Sequence, residues 1–316
     1  MNKPKALKIG DTIRLVAPSS PPHSRSALEN AISALETLGY NVKYSDVIFS
    51  RSGYLAGSDE ERARDFEEAF ADKKTDAVLC VRGGYGSTRL LDLINWESIE
   101  QPKLFMGFSD ITALSCVLWK YGNMPSFSGP VLMSDLVGNR PDDVSWGHAL
   151  PLLTGEKKNG QLISEPFNLS YPLSIVGGES YGRLMGGNLS LICSLLGTRY
   201  FPDFRRSILF LEDVGEAPYR IDRYLTQLMN AGVLESVSGI VLGDFCYSDS
   251  RRNNDKQQGL QTMEDVFQER LGGLGVPVLM NVPFGHIKPK LTLPFGALVI
   301  LDCEKRNILL QESIVE

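Results

Sequence analysis

The run Lys103-Leu104-Phe105-Met106-Gly107-Phe108-Ser109-Asp110-Ile111-Thr112-Ala113-Leu114 most constrains what this chain can become. An apolar segment of strand length ends at Gly107, Ser109 follows two residues later, and helical spacing begins at once. With no room for a loop, the chain must pass from strand to helix through a tight turn. Such a turn exposes the Ser109 hydroxyl and aims the first helical N–H groups at whatever it meets. Ser109 is therefore a candidate nucleophile. Ser109-Asp110 is also an ordinary helix cap after a turn glycine. The full elbow pattern G-x-S-x-G is not met, because position 111 is Ile.

The same order of strand, turn and helix recurs through the first half. Residues 12–17 read as an apolar strand, 26–38 as a helix closed by Gly39, and 42–44 as a short strand. Residues 59–73 form a charged helix with Ala63, Phe66, Ala69 and Phe70 on one face. A buried strand at 77–81 leads into Arg82-Gly83-Gly84-Tyr85-Gly86 and a helix over 87–94. This alternation implies a parallel sheet covered on both faces, with sites in the loops at the strands' carboxyl ends. The Gly83-Gly84 loop and the Ser109 turn can then face one crevice. We divide the chain into a first domain over 1–154, a polar connection over 155–180 in which Phe167 and Tyr171 could line a pocket, and a second domain over 181–316. In the second domain, strands are expected at 181–185, 207–211, 239–242, 297–301 and 307–311, with a helix at 218–231 and an exposed loop at 244–261.

Composition narrows the function class. The 316 residues are 43% hydrophobic and 22% charged, with a net charge of −6 and no Lys/Arg block, which argues against nucleic acid or an anionic membrane as partner. No signal-peptide core opens the chain, and no apolar run approaches the ~18 residues of a membrane span. Five scattered cysteines without a C-x-x-C pair suit reduced thiols in the cytoplasm. The three histidines lie far apart and near no cysteine, so no metal is expected. The glycine-rich segment fits neither the dinucleotide fingerprint nor the Walker pattern, and no cofactor is expected. It is either a tight turn needing positive φ or a place where a backbone N–H meets an oxyanion.

Two further segments bear on chemistry. Glu212 directly follows the apolar run Leu209-Phe210-Leu211, with Asp213 and Glu216 as rival carboxylates. His286 sits in Pro283-Phe284-Gly285-His286-Ile287-Lys288-Pro289, between two apolar segments. A serine nucleophile needs a base, and His286, His23 and His148 are the candidates.

Together these segments resemble the LD-carboxypeptidase family of serine peptidases, which also includes the microcin C immunity peptidases. The matching residues are Arg82-Gly83-Gly84-Tyr85-Gly86, Gly107-Phe108-Ser109-Asp110-Ile111-Thr112, Gly186-Gly187-Asn188-Leu189, Leu211-Glu212-Asp213 and Gly285-His286, in the family's order. The resemblance implies an α/β fold: a Rossmann-like parallel-sheet N-terminal domain plus a smaller mixed-sheet α/β C-terminal domain, with the site between them, and often a homodimer. It implies Ser109 as nucleophile, His286 as general base and Glu212 as the residue that orients the imidazole. Oxyanion donors would be the backbone N–H groups of Gly84 and Asp110, and Arg82 is a conceivable anchor for a substrate carboxylate. The expected substrate is a small peptide of the murein tetrapeptide kind, cleaved before a C-terminal D-amino acid. Two alternatives stand beside it. One is a microcin-type peptidase acting on an aminoacyl-nucleotide amide, with Phe167, Tyr171 and Tyr181 available for stacking. The other is a non-catalytic ligand-binding protein.

Overall fold

The computed structural model describes residues 1–136, 143–164, 172–246 and 261–316. Its first five strands are β1 (Thr12–Val16), β2 (Asn41–Lys43), β3 (Ala77–Cys80), β4 (Leu104–Met106) and β5 (Ser126–Ser128). The later ones are β6 (Gly160–Gln161), β7 (Leu173–Val176), β8 (Glu179–Asn188), β9 (Ser207–Val214), β10 (Gly239–Cys246), β11 (Val278–Met280), β12 (Leu293–Phe295), β13 (Leu298–Asp302) and β14 (Asn307–Leu310).

Two sheets result, ordered β12-β5-β4-β3-β1-β2 and β6-β14-β13-β8-β9-β10-β11-β7. Strands β1 to β5 pair in parallel, and β3 and β4 at the centre of the sheet are apolar and buried throughout, as helices on both faces require. In the second sheet β8, β9, β10 and β11 are parallel, and the remaining pairs are antiparallel. The first sheet gains its sixth strand from far along the chain, where β12 lies antiparallel on β5.

The helices start where side chains can satisfy the free N–H groups of a first turn. In α1 (Arg25–Thr37), Ser24 caps the Ala27 N–H, and Leu28, Ala31, Ala34 and Leu35 turn inward. In α2 (Asp59–Ala71), Ser58 and Glu61 form a reciprocal capping box, and Asp59, Glu60 and Glu61 lie at the positive end of the helix dipole. Helix α3 (Thr112–Gly122) is buried from Thr112 to Leu118 and closes on Asn123 in the left-handed conformation. Phe66, Phe70 and Phe105 pack ring on ring beneath α2. Phe295 of β12 meets Trp119 of α3 and Phe210 of β9, joining the two sheets through one aromatic contact chain.

Several segments differ from their sequence reading. Residues 87–94 make only a short 3-10 turn over Ser87–Leu90. Residues 155–180 supply the strands β6 and β7 to the second sheet. Strand β9 runs on to Val214, past the expected end at 211, so Glu212 lies within it and is buried. Strand β10 likewise extends into the segment read as a loop, whose residues 247–260 lie outside the described part, as do Phe167 and Tyr171. In β9 and β10 the apolar run ends before the strand does, because acidic residues inside the fold carry the ladder onward.

Candidate active site

Ser109 opens a 3-10 turn (Ser109–Ile111) directly after β4, with φ 64°. A non-glycine residue in the left-handed region costs on the order of 1–3 kcal/mol and persists only where its surroundings hold it. Here Asp110 does the holding. Its buried carboxylate accepts from Ser19 Oγ at 2.5 Å and from the Ser87 backbone N–H at 2.8 Å. Ser87 Oγ in turn donates to the Asp110 carbonyl at 2.5 Å. Thus the loops after β1, β3 and β4 are tied at one point. A Cβ on Gly83 would lie 3.1 Å from Ser109 Cβ, so the glycine-rich loop can press against the turn only without a side chain there. The Ser109 hydroxyl caps no helix; it is hydrogen-bonded to His286.

His286 reaches Ser109 because of the path of the chain. It sits between β11 of the second sheet and β12 of the first, on the segment that crosses from one to the other. His286 Nε2 lies 3.0 Å from Ser109 Oγ, and Nδ1 lies 2.6 Å from Glu212 Oε2. An ionised carboxylate only accepts, so Nδ1 carries the proton and Nε2 is left to accept from the serine hydroxyl. Glu212 comes from β9, in register with Asn188 of β8, and is 2% exposed. Gly285 has φ 98°, and a Cβ there would stand 2.7 Å from Glu212 Oε2; the carboxylate occupies the space a side chain would take. The Phe108 ring packs on the imidazole with centroids 5.0 Å apart.

The rival residues have other partners. Asp213 is buried and accepts from Asn188 Nδ2 and from the N–H groups of Ser190 and Val214. Burial raises its carboxyl above the usual range, partly offset by those bonds. Glu216 pairs with Arg220 at 3.1 Å. His148, in the helix Asp143–Leu153, donates from Nε2 to the Leu162 carbonyl at 2.9 Å and accepts at Nδ1 from the Thr292 N–H at 3.1 Å. Burial pushes its pKa down to about 4. His23 stands in the loop after β1, where its Nδ1 lies 3.1 Å from Arg82 Nη1. Tyr181 is exposed near the start of β8, about 23 Å along the strand from Asn188, so it is not brought to this site.

Two supporting residues carried no sequence signal of their own. Arg62, within the charged face of α2, is 1% exposed; it donates to the Pro18 and Gly86 carbonyls and pairs with Asp59. It thereby braces the glycine-rich loop. Lys290 is buried 3.3 Å from buried Asp135, and its ammonium lies 3.9 Å from the Phe108 ring centre. Burial lowers its pKa, while Asp135 and Glu212 act the other way. The crossing segment therefore grips the turn at Ser109 from two sides, with His286 and with Lys290. Among the described residues, no group of three or more His, Cys, Asp or Glu could hold a metal ion.

This arrangement brings a hydroxyl, an imidazole and a buried carboxylate into one hydrogen-bonded line. Those are the parts of a nucleophilic hydrolase. Residues 13–129 match the LD-carboxypeptidase N-terminal domain and residues 181–301 the LD-carboxypeptidase C-terminal domain. A Bacillus subtilis protein named "Probable murein peptide carboxypeptidase" is 37% identical, over 99% of this chain and 96% of its own. The crystal structure of muramoyltetrapeptide carboxypeptidase from Oxalobacter formigenes superposes with a TM-score of 0.81 at 31% identity, covering 95% of this chain and 97% of that one. The microcin C7 self immunity protein MccF, solved with glutamyl sulfamoyl guanosine, shares the fold with a TM-score of 0.88 at 24% identity over all of both chains. The two-domain α/β architecture, the two domain matches and the relatives agree: the chain belongs to the LD-carboxypeptidase family of serine peptidases.

Proposed function

We propose that Ser109, His286 and Glu212 form a catalytic triad that hydrolyses the L,D-amide bond before a C-terminal D-amino acid, releasing D-alanine from a murein tetrapeptide. The observation that carries this reading is the unbroken line of hydrogen bonds from Ser109 Oγ through the imidazole to Glu212, at 3.0 and 2.6 Å. The named activities of the relatives supply the substrate.

The steps follow from the geometry. Ser109 Oγ attacks the carbonyl carbon as its proton passes to His286 Nε2, and Glu212 stabilises the resulting imidazolium. Proton transfer of this kind is worth roughly 10²–10⁴-fold. The tetrahedral oxyanion is taken by the backbone N–H groups of Asp110 and Gly84, from the two loops that flank the serine. Loss of one such donor typically costs about 2.7–4 kcal/mol of transition-state stabilisation. His286 then returns the proton to the leaving amine, and water repeats the sequence on the acyl-enzyme. In this reading Arg82 meets the substrate's free carboxylate.

The proposal extends to a cytoplasmic homodimer working in cell-wall recycling. Four described cysteines are buried and free, and burial pushes Cys116, Cys193 and Cys303 up to about 12, as suits thiols kept reduced. Among the described residues no helix is long and apolar enough to cross a membrane. The dimer rests on the family resemblance. Mass spectrometry of a murein tetrapeptide incubated with the protein tests the central claim. Loss of one D-alanine is expected with the wild-type chain and none with Ser109→Ala; an unchanged tetrapeptide in both would overturn it.

A further inference from the structure

Arg14, Arg62, Arg89, Arg183, Arg199, Arg205, Arg220 and Arg270 each stand beside an acidic oxygen. Two arginines at the sheet edge that carries Ser109 do not. Arg82 and Arg51 have no carboxylate within 4.0 Å among the described residues. Yet they lie near enough that each lowers the pKa of His23, and Arg51 lowers that of Arg82, in every case behind the effect of burial. Two unneutralised guanidiniums side by side repel, and that cost falls away when an anion binds between or beside them.

Their place is specific. Arg82 precedes Gly83, whose position is in contact with Ser109. Arg51 donates to the carbonyls of Pro22 at 2.9 Å and His23 at 3.3 Å, holding the loop after β1. Arg82 Nη1 lies 3.1 Å from His23 Nδ1. A guanidinium can only donate, so Nδ1 must be the bare nitrogen and Nε2 must carry the hydrogen. His23 is solvent-exposed, and what desolvation it has, together with the charges of Arg82 and Arg51, acts in favour of the neutral form. The result is a guanidinium and an imidazole N–H, both donors, on the loops at the carboxyl ends of β3 and β1. In a C-terminal residue the carboxylate carbon is only three bonds from the attacked carbonyl carbon, with its oxygens about 4–5 Å away. Arg82 and His23 lie on the two loops tied to the serine turn through Asp110, and the free end of a bound peptide has to fall close to that turn.

We propose that Arg82 and His23, braced by Arg51, form a carboxylate subsite that holds the free C-terminus of the departing amino acid and makes the enzyme an exopeptidase. This rests on the catalytic reading above, in which Arg82 already meets the carboxylate, and adds His23 as a second donor, the tautomer of His23 and a positioning role for Arg51. Recognition by a charge-assisted, forked donor is what an arginine offers and a lysine does not.

The test compares two substrates, a tetrapeptide ending in free D-alanine and the same peptide ending in D-alaninamide. Wild-type protein is expected to favour the acid by about 30-fold or more in kcat/KM, since one charge-assisted pair is worth roughly that factor. In Arg82→Gln the ratio should fall below about 5-fold, mostly through KM for the acid; Arg82→Lys should recover only part of it, and His23→Ala and Arg51→Gln should each lower it by a smaller factor. A second measurement needs no variant: free D-alanine should inhibit the wild-type enzyme at least about 10-fold more strongly than D-alaninamide. Equal use of acid and amide by the wild-type chain, equal inhibition by the two products, or a wild-type ratio retained in Arg82→Gln would overturn the subsite. Labelling of Ser109 by an uncharged fluorophosphonate separates the two levels: labelling with turnover but no acid preference removes this inference alone, and absence of both labelling and turnover removes the catalytic reading together with it.

Discussion

His286 and His148 are the same residue type, both join distant parts of the chain, and both have two engaged ring nitrogens. They differ in what engages them. His148 is held by backbone, with the Leu162 carbonyl on one side and the Thr292 N–H on the other. These partners cannot ionise or react, so the ring is fixed in its neutral form and does the work of a strut between the helix Asp143–Leu153 and the segment before β12. His286 is held by side chains, a carboxylate and a hydroxyl. In the proposed mechanism the carboxylate would stabilise a protonated ring and the hydroxyl would give up its proton, so the same engagement would serve as a relay. The chemistry of the partners, more than burial, separates a structural histidine from a working one.

That contrast can be broken most sharply at the serine. Ser109→Ala should cut kcat for tetrapeptide hydrolysis by roughly 10⁴–10⁶-fold, and the melting midpoint should stay within a few degrees. Retained turnover would show that the relay ends elsewhere. Glu212→Gln comes next. The amide can present its NH₂ to Nδ1 and so favour the wrong tautomer, and a fall of about 10⁴-fold in kcat is expected; a variant as active as wild type would reduce Glu212 to packing.

His148→Leu should invert the pattern. It strands a backbone donor and a backbone acceptor in the interior, at about 1–3 kcal/mol for each group. Denaturant melts should show that loss, while kcat per folded molecule stays near wild type. If instead activity falls and stability holds, the two histidines have been assigned the wrong way round.

The smallest effect is in the pH dependence of stability. His148 has a folded pKa of about 4 against an ordinary value of 6.5. On acidification the unfolded chain takes up the proton first. Stability present above about pH 6.5 is therefore lost as pH falls toward 4, by up to about 3 kcal/mol. His148→Leu should flatten that part of the curve relative to wild type. Equal slopes in the two proteins would show that carboxylates dominate there.

Much of this could be read from the chain. The β4 run, Gly107 and the immediate helical spacing announced the turn at Ser109, and the glycine-rich segment after β3 announced a second loop at the same sheet edge. Local patterns suffice for such features because strand, turn and cap depend on neighbours a few residues apart. Arg62 and Lys290 were not legible. A charged residue on a helix face or in a loop looks solvated until the fold closes around it, and the carbonyls of Pro18 and Gly86 and the carboxylate of Asp135 are what make burial tolerable.

By itself, then, the sequence determined an α/β fold with loops gathered at parallel strand ends, and a short field of candidates for each chemical role. Only the tertiary structure decided which of them lie together. The serine and the imidazole are 177 residues apart, and the imidazole and its carboxylate 74. No local pattern encodes a distance across such separations. It was settled by one path of the chain, the crossing from β11 to β12, which takes a histidine out of one sheet and sets it beside Ser109 of the other.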